Sequence, residues 1–475
     1  MSDKQVPSLQ QACERAFREI RTRVSLSAAD AERFDAQRVA VAYSGGLDSS
    51  VLLQLMHTCA AQQGLQLFAF HVHHGLSPNA DRWLAHCAQQ AAQLGVLFDS
   101  RHVDIAKTAA ERGVEEAARH SRYAALGAMC VAHRVPLLLT AHHQDDQAET
   151  VLLQLLRGSG VAGLSGMDEA NHAPGLLGDP VLMMGRPLLQ CARADLEAWA
   201  ADKAISFVED ESNTDTRYAR NALRREVMPA LVRHFPGFQQ RLSRVAHHAQ
   251  SAQKLLNELA AQDLSVCLDG EGLDVTKLAQ FDTERIDNLL RYWFASRGMR
   301  MPSTSWLDEV REQLLGAKHD ARLCVMHPDG DVRRHRNHVF ITPKRDEGAE
   351  ALSQSFQWNG EPAMHFPAFG GTLLVETAEE GIDIGWLAQQ TLTIALRGGG
   401  ERLKPAWNRS TRSLKAHYQE CDVPAWERER LPLIFAGTQL LFAAGIGMDC
   451  HAFGTEPGVR VRFRWEFDAA SQSSV

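Results

Sequence analysis

A short run between a predicted strand and a predicted helix contains the residue types that bind phosphate. It reads SGGLDS and consists of Ser44, Gly45, Gly46, Leu47, Asp48 and Ser49. The two glycines let the backbone turn sharply and approach an anion closely. The serine hydroxyls and the first amides of the following helix can donate to phosphate oxygens, and the helix dipole favours negative charge there. Asp48 can cap that helix or help to hold Mg²⁺.

An ordinary strand–turn–helix junction with a Ser or Asp cap is the alternative for this run. The SGG string alone does not separate the two interpretations, whereas the full SGGLDS string in this context favours a phosphate site. The run is not a Walker A loop, because such a loop ends in GK[ST]. Spacing by itself therefore predicts phosphate binding and does not identify the reaction.

A second cluster occupies residues 140–150, where a later predicted strand ends and a helix begins. It holds two histidines and three carboxylates: His142, His143, Asp145, Asp146 and Glu149. Asp146 and Glu149 are three residues apart and share a helix face, which suits a metal ion or a substrate amine. The alternative is an acidic first turn that complements the helix dipole. The density of such residues at the edge where open α/β sheets bind ligands favours a site.

A third group, HVHHGL at residues 71–76, follows the second predicted strand. A surface loop that happens to contain histidines is an equally simple interpretation of this group.

The elements that would position these groups alternate as in an α/β fold. Short apolar segments predict strands at residues 38–43, 65–72, 96–103 and 136–140. Amphipathic segments predict helices at residues 49–61, 79–94, 115–133 and 145–157. Such alternation predicts a doubly wound, mostly parallel sheet with helices on both faces.

We predict three domains along the chain. Residues 1–215 form the phosphate-binding domain with an N-terminal extension, residues 216–350 a mainly helical domain, and residues 351–475 a small α+β domain. A β-hairpin is predicted around Asp329-Gly330 in the second of these.

The composition excludes some classes of protein. Nine cysteines are scattered with no CxxC pair, which argues against a disulfide framework and against a structural zinc or iron–sulfur site. The net charge is −8, yet residues 217–244 contain seven arginines and one acid, so a polyanionic partner remains compatible. No segment resembles a secretory signal or is long and apolar enough to span a bilayer, so we expect a cytoplasmic protein with no membrane association.

The SGGLDS string resembles the signature of PP-loop enzymes, which split ATP into AMP and pyrophosphate. Further strings occur in the order found in the tRNA(Ile)-lysidine synthetase family. They are EEAAR at 115–119, RY at 122–123, LRGSG at 156–160, GLSGM at 163–167, RPLL at 186–189, EDESN at 209–213, YARN at 218–221 with Arg224, GERLKP at 400–405, SLK at 413–415 and VPAW at 423–426. His73 and Ser77 depart from the family pattern, which usually has Asp or Asn and Arg at these positions.

The resemblance implies a two-step reaction on an isoleucine tRNA with a CAU anticodon. The wobble cytidine is adenylated by ATP with release of pyrophosphate, and free L-lysine then displaces AMP to give lysidine. The cofactors implied are ATP and Mg²⁺.

The same resemblance suggests a role for each candidate residue. Ser44, Gly45, Gly46, Leu47, Asp48 and Ser49 would bind the nucleotide, with Asp48 and Glu149 as Mg²⁺ ligands. His142 and His143 would lie near the adenylate, and Asp146 would bind the lysine ammonium. Arg119 and Arg220 would stabilise charge at the α-phosphate. A surface salt bridge is the alternative for Arg220, and a solvated face is the alternative to tRNA contact for the arginines after it.

Rival interpretations differ in their sequence requirements. A PP-loop tRNA thiolase would need paired cysteines or an iron–sulfur cluster, and asparagine or GMP synthetases would need an amidotransferase region. A tRNA-binding protein without catalysis would not need intact SGGLDS and HHQDDQAET strings. The oligomeric state is left open, with a homodimer as one candidate.

Overall fold

The computed structural model divides the chain into two compact units, Met1–Leu256 and Asn257–Val475. The residues that it describes are 8–75, 77–104, 114–209, 219–301, 303–316, 323–344, 352–455 and 458–468. The three-domain division remains a prediction.

A six-stranded sheet forms the centre of the first unit. Its strands are β1 (Arg38–Ala42), β2 (Gln66–His73), β3 (Leu97–His102), β4 (Leu137–Leu139), β5 (Ala170–His172) and β6 (Met183–Gly185). The spatial order is β3-β2-β1-β4-β6-β5, and only the pairing of β5 with β6 is antiparallel. The predicted doubly wound, mostly parallel sheet is confirmed. The strand order reverses at β1 and β4, so a crevice opens beyond their carboxyl ends.

Helices of the first unit connect and cover these strands. They are α1 (Leu9–Thr22), α2 (Ala28–Arg33), α3 (Leu47–Gln63), α4 (Ala80–Leu94), α5 (Val114–Ala132), α6 (Gln144–Leu156), α7 (Val161–Leu164), α8 (Pro174–Leu177), α9 (Arg193–Asp202), α10 (Ala219–Ala222), a π-helical turn (Leu223–Val227) and α11 (Met228–His234). The long α12 (Phe238–Cys267) crosses the boundary between the units in sequence. The four predicted strands and four predicted helices are present, each with ends within two residues of the prediction.

Alternation along β1 shows why helices are needed on both faces of the sheet. Val39 and Val41 belong to one buried cluster, and Ala40, between them, belongs to another. Successive side chains of a strand point to opposite faces, so both faces of β1 are apolar and both must be covered.

The second unit begins within α12 and combines further helices with several small sheets. Its other helices are α13 (Val275–Leu278), α14 (Thr283–Ser296), α15 (Thr304–Gly316), α16 (Ile384–Leu387), α17 (Leu414–Glu420) and α18 (Ala425–Arg428). Its strands are β7 (Leu268–Asp269), β8 (Gly272–Asp274), β9 (Cys324–His327), β10 (Gly330–His335), β11 (His338–Thr342), β12 (Ser353–Gln357), β13 (Ala363–Phe366), β14 (Gly371–Ala378), β15 (Ile382–Asp383), β16 (Thr391–Ala395), β17 (Arg402–Leu403), β18 (Arg412–Ser413), β19 (Leu433–Ala436), β20 (Gln439–Ala443), β21 (Gly447–Met448) and β22 (Arg460–Phe467).

The hairpin predicted at Asp329-Gly330 is confirmed as the connection between β9 and β10. The helical middle region also carries a five-stranded sheet, in the order β7-β8-β11-β10-β9. Asp422, in the C-terminal part, pairs with His335 at 2.9 Å and with Arg336 at 2.7 Å, so the middle and C-terminal parts are in contact within this unit. No helix in the described part of the chain has the length and apolar character needed to cross a bilayer.

The nine cysteines are free thiols, and only Cys324 and Cys421 are exposed. Burial raises the pKa of the Cys87 thiol to about 12 and that of Cys59 to about 11, so these thiols stay protonated and unreactive near neutral pH. We expect a thiol reagent to modify two cysteines quickly in the native chain and all nine after denaturation. Mass spectrometry after timed labelling tests this. Fast modification of a third site in the native protein would contradict the burial, and Cys421→Ser should remove one fast site.

Candidate functional site

Two loops meet at the crevice because β1 and β4 are adjacent parallel strands. The SGGLDS run leaves β1 and begins α3, with Gly46 as the residue that caps the helix. The second cluster leaves β4 and begins α6, with His143 as the capping residue. Both helix N-termini therefore lie at the ligand-binding edge of the sheet.

Hydrogen bonds hold the first loop in a tight turn. Gly45 has a φ of +86°, and its carbonyl oxygen accepts from the Val208 amide at 2.9 Å. The Ser44 and Ser49 hydroxyl oxygens are 3.1 Å apart, and Ser49 also donates to the Gly46 carbonyl oxygen at 3.0 Å. Because Gly46 has no side chain to cap α3, the first amides of that helix are available to an anion.

Gly45 also lies against α4, where there is no room for a side chain. A Cβ atom at this position would lie 2.7 Å from the Cys87 sulfur and 3.2 Å from a Val208 methyl carbon. We expect Gly45→Ala to weaken ATP binding by at least about tenfold, because both the left-handed backbone and this contact oppose the loop conformation. Isothermal titration calorimetry with ATP measures the effect.

Gly64→Ala is the matched control for that substitution. Gly64 ends the same helix with a φ of +64° and open space around it, so the change there should cost only about 1 kcal/mol of stability and leave ATP binding unchanged. Equal ATP affinity in the two variants would contradict a phosphate-binding role for the first loop.

His143 links the two loops. Its side chain is 1% exposed, and its Nε2 atom lies 3.3 Å from Asp146 Oδ2 and 3.7 Å from Asp48 Oδ2. The His143 amide donates to Asp146 Oδ2 at 3.1 Å, and the Asp146 amide donates back to His143 Nδ1 at 3.4 Å. Burial lowers the pKa of His143, but the neighbouring Asp48, Asp146 and Asp145 outweigh it and raise the pKa above its ordinary value.

Asp48 has one oxygen that the surrounding protein does not satisfy. Its Oδ1 atom is buried, and it has no hydrogen-bond partner among the residues that the structure describes. An unpaired buried carboxylate oxygen is costly, and coordination of a hard cation such as Mg²⁺ would satisfy it. The donor chemistry at Asp48 therefore fits the metal that the sequence predicts.

Glu149 and Asp146 are held by two arginines. Glu149, only 1% exposed, accepts from Arg220 Nε at 2.9 Å and from Arg224 Nε at 2.7 Å, and Arg224 Nη2 contacts its second oxygen at 3.0 Å. Asp146 Oδ1 accepts from Arg224 Nη2 at 3.0 Å and lies 3.4 Å from Arg220 Nη2. Arg220 therefore forms a salt bridge, which was the alternative to its role at the α-phosphate. Its partner Glu149 is buried and belongs to the site, so this is not the surface salt bridge that was considered. Neighbouring charges also lower the pKa of Asp146 despite its burial.

The pKa of His142 is shifted in the opposite direction from that of His143. Burial lowers the pKa of His142 to about 3; Asp146 opposes this shift, and the guanidinium groups of Arg186, Arg220 and Arg119 add to it. Its Nδ1 atom lies 2.9 Å from the Thr140 hydroxyl oxygen. The side chain is therefore a neutral imidazole at pH 7, next to a histidine whose pKa is shifted upwards.

Arg119 belongs to the same region, and its guanidinium lies 5.1 Å from the centre of the Tyr123 ring. The structure thus brings Asp48, His142, His143, Asp146, Glu149, Arg119 and Arg220 into one electrostatically connected cluster. Residues 210–218, which hold all of the EDESN string but Glu209 and the first residue of the YARN string, lie outside the described residues, as do Leu76 and the side chains of Glu115 and Glu116.

Two further arginines belong to this site: Arg224, which the sequence grouped with the arginines expected to contact tRNA, and Arg186, for which it suggested no role. Arg224 lies on the π-helical turn four residues after Arg220, and both reach Glu149. Arg186 is 8% exposed and donates to the Asp168 carbonyl oxygen at 2.6 Å and to Asn171 at 2.8 Å. The sequence strings that contain these arginines are RNxxR for Arg224 and RPLL for Arg186. Neither string indicates which carboxylate or carbonyl group the arginine contacts.

Three family models match successive stretches of the chain. Residues 14–231 match a PP-loop domain, residues 273–340 a TilS substrate binding domain, and residues 392–465 a TilS substrate C-terminal domain. These matches follow the order of the strings noted in the sequence.

Relatives share most of their length with this chain. A tRNA(Ile)-lysidine synthase from Ralstonia nicotianae is 44% identical over 433 residues, which cover 89% of this chain and 92% of the relative. Another from Burkholderia pseudomallei is 41% identical over 465 residues, covering 90% and 93%. Among solved structures, a tRNA thiolase from Methanococcus maripaludis aligns over 50% of this chain and 79% of its own, with 15% identity and a TM-score of 0.40. From the identity and coverage of these relatives, the chain belongs to the tRNA(Ile)-lysidine synthase family.

Proposed function

We propose that this protein is a carbon–nitrogen ligase that joins lysine to the wobble cytidine of isoleucine tRNA with a CAU anticodon. ATP adenylates the cytidine with release of pyrophosphate, and lysine then displaces AMP. The observation that carries the proposal is the meeting of the phosphate loop and the carboxylate cluster, with His143 within 3.7 Å of both Asp48 and Asp146.

The first step places the triphosphate on the SGGLDS loop. The α3 amides and the Ser44 and Ser49 hydroxyls contact its phosphates, and Gly45 and Gly46 permit the close approach. The cytosine carbonyl oxygen attacks the α-phosphorus, and pyrophosphate leaves. Arg119 and Arg220 stabilise the negative charge that grows on the α-phosphate oxygens.

Mg²⁺ would bind at Asp48, whose buried Oδ1 fits it, and would neutralise charge on the phosphates. Glu149 is the second proposed ligand. Both of its oxygens accept from arginines in this structure, so coordination by Glu149 requires one of those ion pairs to exchange.

The second step needs a lysine amine close to the activated carbon. We propose that Asp146 binds a lysine ammonium, since its carboxylate has the lone pairs for a further donor beside its present partners. The ammonium loses one proton to solvent before its nitrogen attacks, and a second proton leaves once the carbon–nitrogen bond has formed and AMP departs. The neutral His142, with its lowered pKa, can accept a hydrogen bond near the adenylate without adding positive charge.

The tRNA would follow the basic surface after Arg220. Arg225, Arg233, Arg241 and Arg244 are exposed on the π-helical turn, α11 and α12. Arginines in such positions contact phosphates rather than bases. We place the protein in the cytoplasm, where its tRNA substrate is found.

A thiolase reaction is not favoured by the cysteines near this site. Cys87, which packs against Gly45, is buried and has its pKa raised to about 12, so its thiol is not available as a nucleophile.

Radiolabelled lysine, ATP, Mg²⁺ and an isoleucine tRNA transcript test the proposal. We expect label to enter the tRNA through a base-stable bond, with one AMP and one pyrophosphate for each lysine. The same transcript with U in place of the wobble C is the control and should accept none. Label entry without ATP, or equal entry into the control transcript, would overturn the assignment.

A further inference from the structure

A second group of potential ligands lies away from the cluster around His143. It comprises His73 at the end of β2, His102 at the end of β3 and Asp81 in the first turn of α4. His73 and His102 are direct partners in the parallel register of β2 and β3. The sheet itself therefore holds the two imidazoles side by side, and their ring centres are 4.3 Å apart.

The distances suit a small metal ion. One ligand atom from each of the three side chains lies within 4.8 Å of the others, and His73 Nε2 is 3.1 Å from Asp81 Oδ1. Metal–ligand bonds of about 2.1 Å in a tetrahedral site separate the ligand atoms by roughly 3.4 Å. Small rotations of Asp81 and His102, both exposed, would bring the atoms to that separation.

An ordinary hydrogen bond between His73 and Asp81 is the alternative interpretation, and it gives no role to the His102 imidazole that the strand register holds beside His73. Histidine binds metals through a neutral imidazole nitrogen, and zinc takes mixed sets of nitrogen and carboxylate donors.

We propose that His73, Asp81 and His102 form a binding site for a divalent transition metal of the zinc class, with a fourth position open to water. Two nitrogen ligands make the site unsuited to Mg²⁺, which prefers oxygen. The ion would join β2, β3 and the start of α4. Because Cys87 of α4 packs against Gly45, the bound ion would also stabilise the packing of α4 against the nucleotide loop.

Metal titration of the full-length protein after chelator treatment tests this. We expect one equivalent of Zn²⁺ to bind by calorimetry and to raise Tm, and Co²⁺ to give visible absorption typical of a four-coordinate site. His102→Ala should weaken that binding by more than about 100-fold, since losing even an outer partner of a ligand costs 10–100-fold. Mg²⁺ in excess should not compete.

His365→Ala is the matched control, because His365 is an exposed histidine paired with Asp468 but with no second imidazole in the pair. This variant should keep the Zn²⁺ affinity and the Tm increase of the unaltered chain. The proposal is overturned if the unaltered chain binds no Zn²⁺, or if His102→Ala retains the same affinity. An unchanged circular dichroism spectrum for His102→Ala would assign its loss of binding to the missing ligand.

Discussion

Replacing Asp48 with Asn is expected to lower ATP-dependent lysine incorporation by about 10³-fold and to leave the chain folded. The substitution keeps the size of the side chain but removes the charge from a buried oxygen that has no partner among the described residues. That charge is what a cation at the phosphates would need, and it also faces His143 at 3.7 Å. Pyrophosphate release with tRNA present, measured alongside lysine incorporation, should fall in parallel because the first step is affected.

Asp202→Asn provides the control for Asp48→Asn. Asp202 is a 70% exposed carboxylate at the end of α9 that pairs only with Lys203 among the described residues, so its loss should change neither rate. The role given to Asp48 is refuted if the Asp48→Asn variant keeps more than a tenth of the rate of the unaltered protein.

Glu149→Gln is expected to destabilise the first unit by about 3 kcal/mol and to lower activity strongly. The buried carboxylate neutralises Arg220 and Arg224, whose side chains are 32% and 35% exposed. An amide cannot accept charged hydrogen bonds equally on both sides, so the two cations would remain beside each other with only the Asp146 carboxylate to share. The urea midpoint of the first unfolding transition and its Tm report the loss.

A second substitution separates a structural role of Glu149 from a role as metal ligand. Combining Glu149→Gln with Arg224→Met removes one uncompensated cation, so the double variant should regain part of the lost stability. Full recovery of activity in the single variant at high Mg²⁺ would instead indicate that metal binding is the main role. Glu197→Gln, a change at an exposed i,i+4 pair on α9, should have no effect on stability, and a loss there as large as at Glu149 would contradict the argument from burial.

The local sequence of this protein determined its elements and the chemical nature of its site. The residue pattern placed β1 to β4 and α3 to α6 within two residues of their observed ends, because the period of side chains along a strand or helix is a local property. The three-residue strands β5 and β6 were not predicted. The SGGLDS run and the cluster at residues 140–150 indicated a phosphate and a cation site for the same reason, since a turn, a cap and the side chains nearest to them are neighbours in sequence.

Only the tertiary structure decided which groups pair with which. Arg220 and Arg224 meet Glu149 across more than seventy residues, and Val208 closes the turn at Gly45 although more than 160 residues separate them. The pairing of His73 with His102 depends on the register between β2 and β3. Such contacts depend on strand order and on how helices approach the sheet. Strand order and helix approach are set by the packing of the whole unit, whereas the residue pattern within one segment determines only whether that segment is a strand or a helix.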